Sequence, residues 1–166
     1  MCIMLDGTEF EIPAAARLVS DNRISLVYEH GDVFYKRSIP YLINNEYYAI
    51  KAMEAVNAFF TPHCERLDKA TLRFERILTA RIEPRDTERI KQSAASFMRC
   101  LVEAGLRHGD LTPPHVLWDG YGLVVIDWAE SRWAADPAPD KRPEGDPYWL
   151  EKTLKEIIGG TTQRDS

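Results

Sequence analysis

The chain has 166 residues, 45% of them hydrophobic and 28% charged, and 21 Lys and Arg against 26 Asp and Glu give a net charge of −5. That length holds one domain, or two small lobes sharing a core, with the composition of an ordinary water-soluble globular protein. The acidic balance argues against nucleic acid as a direct ligand, and no apolar run approaches the roughly 18 residues of a membrane span. Cys2, Cys64 and Cys100 are too few and too scattered for a disulfide framework or a zinc site. Met1 to Asp6 lack the basic and apolar regions of a secretory leader, so a reducing cytoplasm is the expected compartment, away from membranes.

The first third alternates like strands. Ala15–Val19, Ile24–His30 and Val33–Ser38 are rich in β-branched and aromatic residues, with Ser20-Asp21-Asn22 and His30-Gly31-Asp32 as turns, which predicts an antiparallel meander. From Tyr41 the apolar period lengthens through Leu42, Tyr47, Ile50, Met53 and Val56, so a helix is expected to run to Phe59, with Pro62 stopping it. Another strand fits Thr71–Ile77. Glu83-Pro84-Arg85-Asp86 breaks the chain, with Asp86 as N-cap of a helix carrying Ile90, Ala94, Phe97, Met98 and Leu101 on one stripe and Gly105 beyond its end. Val116–Trp118 and Leu123–Ile126 then flank Asp119-Gly120-Tyr121-Gly122, a hairpin signal. Pro137, Pro139 and Pro143 make the stretch from Ala134 irregular. A last helix is expected from Pro147 to Ile158, followed by a frayed tail from Gly159.

The chemistry concentrates in His108-Gly109-Asp110-Leu111-Thr112-Pro113-Pro114-His115 and in Ile126-Asp127-Trp128. Asp110 sits in a tight loop after a long helix and Asp127 ends an apolar strand, and the hairpin between them folds the second acid back toward the first. A carboxylate ending a buried strand needs a partner, for which a divalent cation serves, and a loop acid beside it can accept a proton from a hydroxyl. His108, Asp110 and His115 also spell a metal-oxygenase triad. That reading wants a β-barrel and a distant second histidine, whereas here a helix precedes the motif and the histidines are close in sequence.

These two motifs resemble the catalytic loop and metal loop of the protein-kinase-like superfamily. The His-Gly-Asp form is similar to that of aminoglycoside- and choline-type phosphotransferases, and still more to the RIO kinases and the kinase/ATPase subunit of the KEOPS complex. The resemblance implies a two-lobed α+β fold, with a sheet and one helix in residues 1–80 and a truncated, mainly helical lobe in residues 81–166. It also implies Asp110 as the catalytic base and Asp127 as ligand of Mg²⁺ or Mn²⁺, with His115, which stands where the family has a metal-binding Asn, as a second candidate ligand. Lys36 on the third strand and Glu46 on the following helix match, in order, the phosphate-binding lysine and its carboxylate, with Glu54 as the alternative partner. His108 and Asp146 would support the catalytic loop.

The departures are specific. No G-x-G-x-x-G exists, Thr112 replaces the lysine of ordinary protein kinases, and little chain follows Ile158 to bind a protein substrate. The expected partners are ATP and an unidentified hydroxyl acceptor, with a protein partner as a further possibility. The alternatives are a weakly catalytic nucleotide-binding module, or an ATPase subunit of an RNA-modifying assembly. Trp118, Trp128, Trp133 and Trp149 are expected in the core or between lobes.

Overall fold

A computed structural model of the chain describes residues 9–162; the Met1 to Asp6 segment lies outside them. In chain order the elements are β1 (Arg17–Asp21), β2 (Ser25–His30), β3 (Val33–Ser38), α1 (Pro40–Asn57), β4 (Cys64–Arg66), β5 (Thr71–Glu75) and α2 (Thr87–Glu103), then β6 (Leu106–Arg107), β7 (Val116–Trp118), β8 (Leu123–Val125), β9 (Arg132–Trp133) and α3 (Asp146–Thr162). The architecture is α+β. Five antiparallel strands in the order β1-β2-β3-β5-β4 form one sheet, and two short ribbons, β6-β9 and β7-β8, accompany α2 and α3 in the second half.

The sheet places Lys36 by register. Val27 on β2 and Leu72 on β5 are the Cα partners of Lys36, and Phe34 faces Phe74. Because strand side chains alternate, Phe34 and Lys36 share one face with Val27 and Phe74. α1 packs across the chain with Ile43, Ala49, Ile50 and Met53 buried. One apolar cluster joins this face to Phe97 and Leu101 of α2, Leu111, Val125 and Trp128, so the two halves share a core. Phe60 and Trp128 both pack edge-on against Phe97 at that junction. Trp118 is also buried, while Trp133 is 53% exposed and so lies outside the core.

Several boundaries differ from the periodicity for local reasons. The first strand starts two residues late because Pro13 sets a turn closed by the Ala16 amide on its carbonyl, and the register slips between Leu18 and Ser20. α1 ends at Asn57, whose side chain accepts from the Phe59 amide and starts a separate 3-10 turn. Asp86 does not cap α2 through its side chain; it closes a reciprocal capping box with Glu83 over the preceding 3-10 turn. Gly105 does end that helix, at φ +69. Gly159 and Gly160 do not fray α3, which runs on to Thr162 beyond the core-packed Ile157 and Ile158. β4, β6 and β9 were not expected, being too short to show a period.

Candidate active site

Lys36 projects from the middle of the sheet toward two acids. Its Nζ lies 2.7 Å from Glu46 Oε2 and 3.0 Å from Asp127 Oδ1. Burial works against the ammonium, but the two carboxylates outweigh it and hold Lys36 above its ordinary range. Glu46 is 2% exposed, and burial pushes its carboxyl up against the pull of Lys36. Its other oxygen accepts from the Trp128 amide at 3.2 Å. One glutamate on α1 thus ties the sheet lysine to the segment that carries Asp127. Asn45, one residue earlier, donates to the Ala129 and Ser131 carbonyls at 2.7 and 2.5 Å and fastens the same segment. Glu54 takes no part, since it pairs with Lys51 at 2.9 Å.

Asp127 follows β8 with φ +58, a left-handed conformation that Asp tolerates better than most side chains. This turn aims its carboxylate into the cleft. Burial raises its pKa, yet His115 and Lys36 prevail and hold it well below the usual carboxylate range. His115 Nε2 lies 3.2 Å from Asp127 Oδ2, and its Nδ1 lies 2.9 Å from the Asp110 carbonyl and 3.5 Å from Asp110 Oδ2. Burial disfavours the imidazolium, but these oxygens outweigh it and raise the His115 pKa. A single imidazole therefore bridges the two acids that are 17 positions apart in sequence.

The loop bearing Asp110 is fixed from beneath. Asp146, at the start of α3, accepts from the His108 amide at 2.7 Å and the Gly109 amide at 2.9 Å. Thr153, two turns further along α3, donates to the Leu111 carbonyl at 2.7 Å. His108 is fully buried against Trp128. Its Nε2 meets the Ile126 carbonyl at 3.0 Å while Nδ1 accepts from the Asp110 amide at 3.2 Å, which fixes a neutral tautomer. Burial pushes its pKa down to about 4. With both nitrogens engaged by backbone, His108 does not converge with Asp110 and His115 on an ion. Gly109 has φ +84, and a Cβ there would sit 3.1 Å from the Glu130 carbonyl oxygen, so only glycine lets the loop pass this close to the segment after Asp127.

Lys36, Glu46, His115 and Asp127 line a cleft of about 400 Å³ whose apolar walls include Val27, Phe34, Phe74, Ile77, Leu117 and Ile126, with Glu75 and Arg76 also at its edge. That volume and apolar lining suit a planar heterocycle, and Lys36 with Asp127 beside it suits phosphates and a cation. A larger hollow of about 530 Å³ beside Arg37 and Tyr28 lies away from these residues. The β1–β2 turn offers no free cradle of amides: Asp21 accepts from Arg23, and Asn22 from Ile24 and Ser25. Among the described residues no group of three His, Cys, Asp or Glu side chains forms a metal cage. The ionised Asp127, with a side chain 37% exposed at the cleft, fits a cation that phosphates and water complete rather than one held by protein alone.

The sequence pattern of the APH phosphotransferase enzyme family matches residues 49–138, more than half of the chain and including both acidic motifs. The chain belongs to this phosphotransferase family. No curated protein matches it by sequence. Among solved structures it is similar to the Rio2 kinase of Chaetomium thermophilum, determined with ADP/Mg²⁺ and phosphoaspartate, at TM-score 0.61 and 12% identity over 93% of this chain and 56% of that one. It is also similar to WbdD, determined with the kinase inhibitor LY294002, at TM-score 0.52 and 17% identity over 70% of this chain and 33% of that one. The chain thus spans about half and a third of the length of these two structures, and the likeness establishes a kinase-like fold. No helix among the described residues is long and apolar enough to cross a membrane.

Sequence reasoning missed three residues of this candidate site. Asn45 reads only as a polar position on α1. Arg142 lies in the proline-rich stretch, where no period exists, yet its Nε sits 2.6 Å from Asp110 Oδ1. Arg107, beside the His108-Gly109-Asp110 motif, holds that stretch by contacts to the Asp136 carbonyl at 2.8 Å and the Asp140 carboxylate at 3.1 Å.

Proposed function

We propose that the protein is an ATP-dependent phosphotransferase of the atypical protein-kinase type. Residues 1–80 and 81–166 would form its two lobes, and a hydroxyl on a protein, on the chain itself or on a small molecule would be its acceptor. The observation that carries this reading is the run of direct contacts from Lys36 to Asp127, from Asp127 to His115 and from His115 to Asp110, with Lys36, Asp127 and His115 lining one largely apolar cleft. Lys36, fixed by Glu46, is assigned to the α- and β-phosphates. Asp127 is assigned to Mg²⁺ or Mn²⁺. His115 could join Asp127 on the ion only by giving up the proton that ties it to the two acids. The cation supplies charge neutralisation on the β- and γ-phosphates when bound.

Asp110 orients the acceptor hydroxyl and takes its proton. The acceptor oxygen bonds to the γ-phosphorus as the bond to the β,γ-bridging oxygen breaks, and that electron pair leaves with ADP. His108, Asp146 and Thr153 hold the loop so that Asp110 is positioned before substrate arrives, which is where most of the catalysis of phosphoryl transfer lies. Without amides free in the β1–β2 turn, phosphate binding falls mainly to Lys36 and the cation.

The test is transfer of labelled γ-phosphate by the wild-type chain and by D110N and D127N, with Mg²⁺ or Mn²⁺, to itself, to protein hydroxyls, to small-molecule hydroxyls and to water. Transfer by the wild type that falls at least 100-fold in either variant supports the reading. ATP binding with no transfer above the D110N background would make the chain a nucleotide-binding module instead, and ADP release without a phosphorylated product would make it an ATPase.

A further inference from the structure

The loop between β9 and α3 carries a cation to the one acid that an acceptor hydroxyl must approach. Arg142 Nε is 2.6 Å from Asp110 Oδ1, and its side chain is 29% exposed. Its guanidinium lies over the Trp149 ring at 4.4 Å from the centroid, and Lys152 lies over the same ring at 4.7 Å. Among the described residues the two terminal nitrogens of Arg142 carry no hydrogen bond, so the outer edge of the fork is available. The other cations of the site are already bound, Lys36 between Glu46 and Asp127 and His115 between Asp110 and Asp127. Thr112, two positions after Asp110, contributes only a hydroxyl, 3.2 Å from His115 Nδ1.

We propose that Arg142 is a catalytic residue that contacts the γ-phosphoryl group, bridging it to Asp110. The inference rests on the phosphotransferase reading above. A loop carboxylate beside a phosphoryl group brings two anions together, and a cation between them removes that repulsion. Guanidinium suits the position because one edge can hold a carboxylate while the remaining N–H groups meet phosphoryl oxygens. As the acceptor oxygen bonds to phosphorus, its proton passes to Asp110 and the leaving electron pair goes to the diphosphate. Arg142 exchanges no proton and only stabilises the charge spread over the transferring oxygens.

The alternative role for such a contact is a strap that blocks Asp110 until it swings away. The attachment of the loop speaks for a permanent part. Arg107 grips its backbone and its Asp140 carboxylate, and Trp149 fixes the guanidinium plane from α3, the same helix whose Asp146 braces the catalytic loop. A strap meant to release has no need of three anchors.

The experiment compares the wild-type chain with R142A and R142K, after equal urea midpoints have established that each variant is folded. Calorimetric affinities for ATP and for ADP, both with Mg²⁺, report the γ-phosphate contact without requiring turnover. R142A is expected to lose about tenfold of the preference for ATP over ADP with its ADP affinity unchanged, and R142K to recover part of it. In transfer assays at saturating ATP, R142A is expected to fall at least 100-fold in kcat with little change in the KM for the acceptor, and millimolar guanidinium ion to restore part of the rate. An unchanged ATP-to-ADP ratio in R142A overturns the proposal, and so does transfer by R142A equal to or faster than wild type, which is the signature of a blocking strap. A wild-type chain that binds ATP but transfers nothing refutes the phosphotransferase reading separately, because the affinity ratio still decides whether Arg142 meets the γ-phosphate.

Discussion

Acid should destabilise this protein through one buried histidine. His108 is neutral in the fold because burial pushes its pKa from the ordinary 6.5 down to about 4. In the unfolded chain it titrates near its ordinary value. Between these pH values the unfolded state binds a proton that the folded state does not, so stability falls as pH falls. The whole gap is worth about 3 kcal/mol, of which about 2 kcal/mol is lost between pH 7 and pH 5. His115 has the opposite sign: its pKa is raised, so its contribution is present below the ordinary 6.5 and fades as pH rises through the folded value. Asp127 is held low, so its contribution fades only below the ordinary 3.8. Both are common to wild type and H108Q, in which the amide can still donate to the Ile126 carbonyl. Urea unfolding of the two proteins at pH 7, 6 and 5 isolates His108. At pH 7 the wild type should be more stable, and its margin over H108Q should shrink by about 2 kcal/mol by pH 5. A margin that stays constant across this range would refute the reasoning that the imidazole is buried neutral.

E46Q keeps the shape of the α1 carboxylate but leaves the buried Lys36 with Asp127 alone, so a loss of about 3 kcal/mol in urea unfolding is expected, together with weaker ATP binding by calorimetry. N45A removes two hydrogen bonds to the segment after Asp127 and should cost about 2 kcal/mol, with amide exchange accelerated at residues 128–131 before the rest of α1 is affected. G109A places a Cβ against the Glu130 carbonyl at a left-handed φ, so about 1–2 kcal/mol of destabilisation is expected in thermal unfolding, and Asp110 should lose activity beyond what that loss explains.

Much of the fold was legible because its long elements obey strong periods. The meander, α1, α2 and the Asp119–Gly122 hairpin all follow from alternation, three- and four-residue spacing and turn chemistry. The short strands β4, β6 and β9 were not, since two or three residues cannot display a period and their pairing is decided by partners elsewhere in the chain. The same division runs through the site. Lys36, Glu46, Asp110 and Asp127 stand in motifs or in an order that chemistry requires, and the structure brings Lys36, Glu46 and Asp127 to one cleft, with Asp110 joined to them through His115. His115 shows the limit of such reading: its place beside the acids could be read from the text, but not that both its nitrogens would be engaged by oxygens of Asp110 and Asp127. Arg142 shows it more sharply. Its position depends on Arg107 holding an irregular segment by backbone carbonyls, a contact that no local pattern encodes.

The claim on which the account turns is that Asp127 faces a nucleotide-bound cation across from Lys36. Electron paramagnetic resonance of Mn²⁺ titrated into the chain with saturating ATP measures this directly. One ion should bind per wild-type chain, its signal broadened by the protein, and binding should weaken at least tenfold in D127N and in K36M while D119N, in the hairpin turn, leaves it unchanged. Equal Mn²⁺ binding by wild type and D127N would contradict the account.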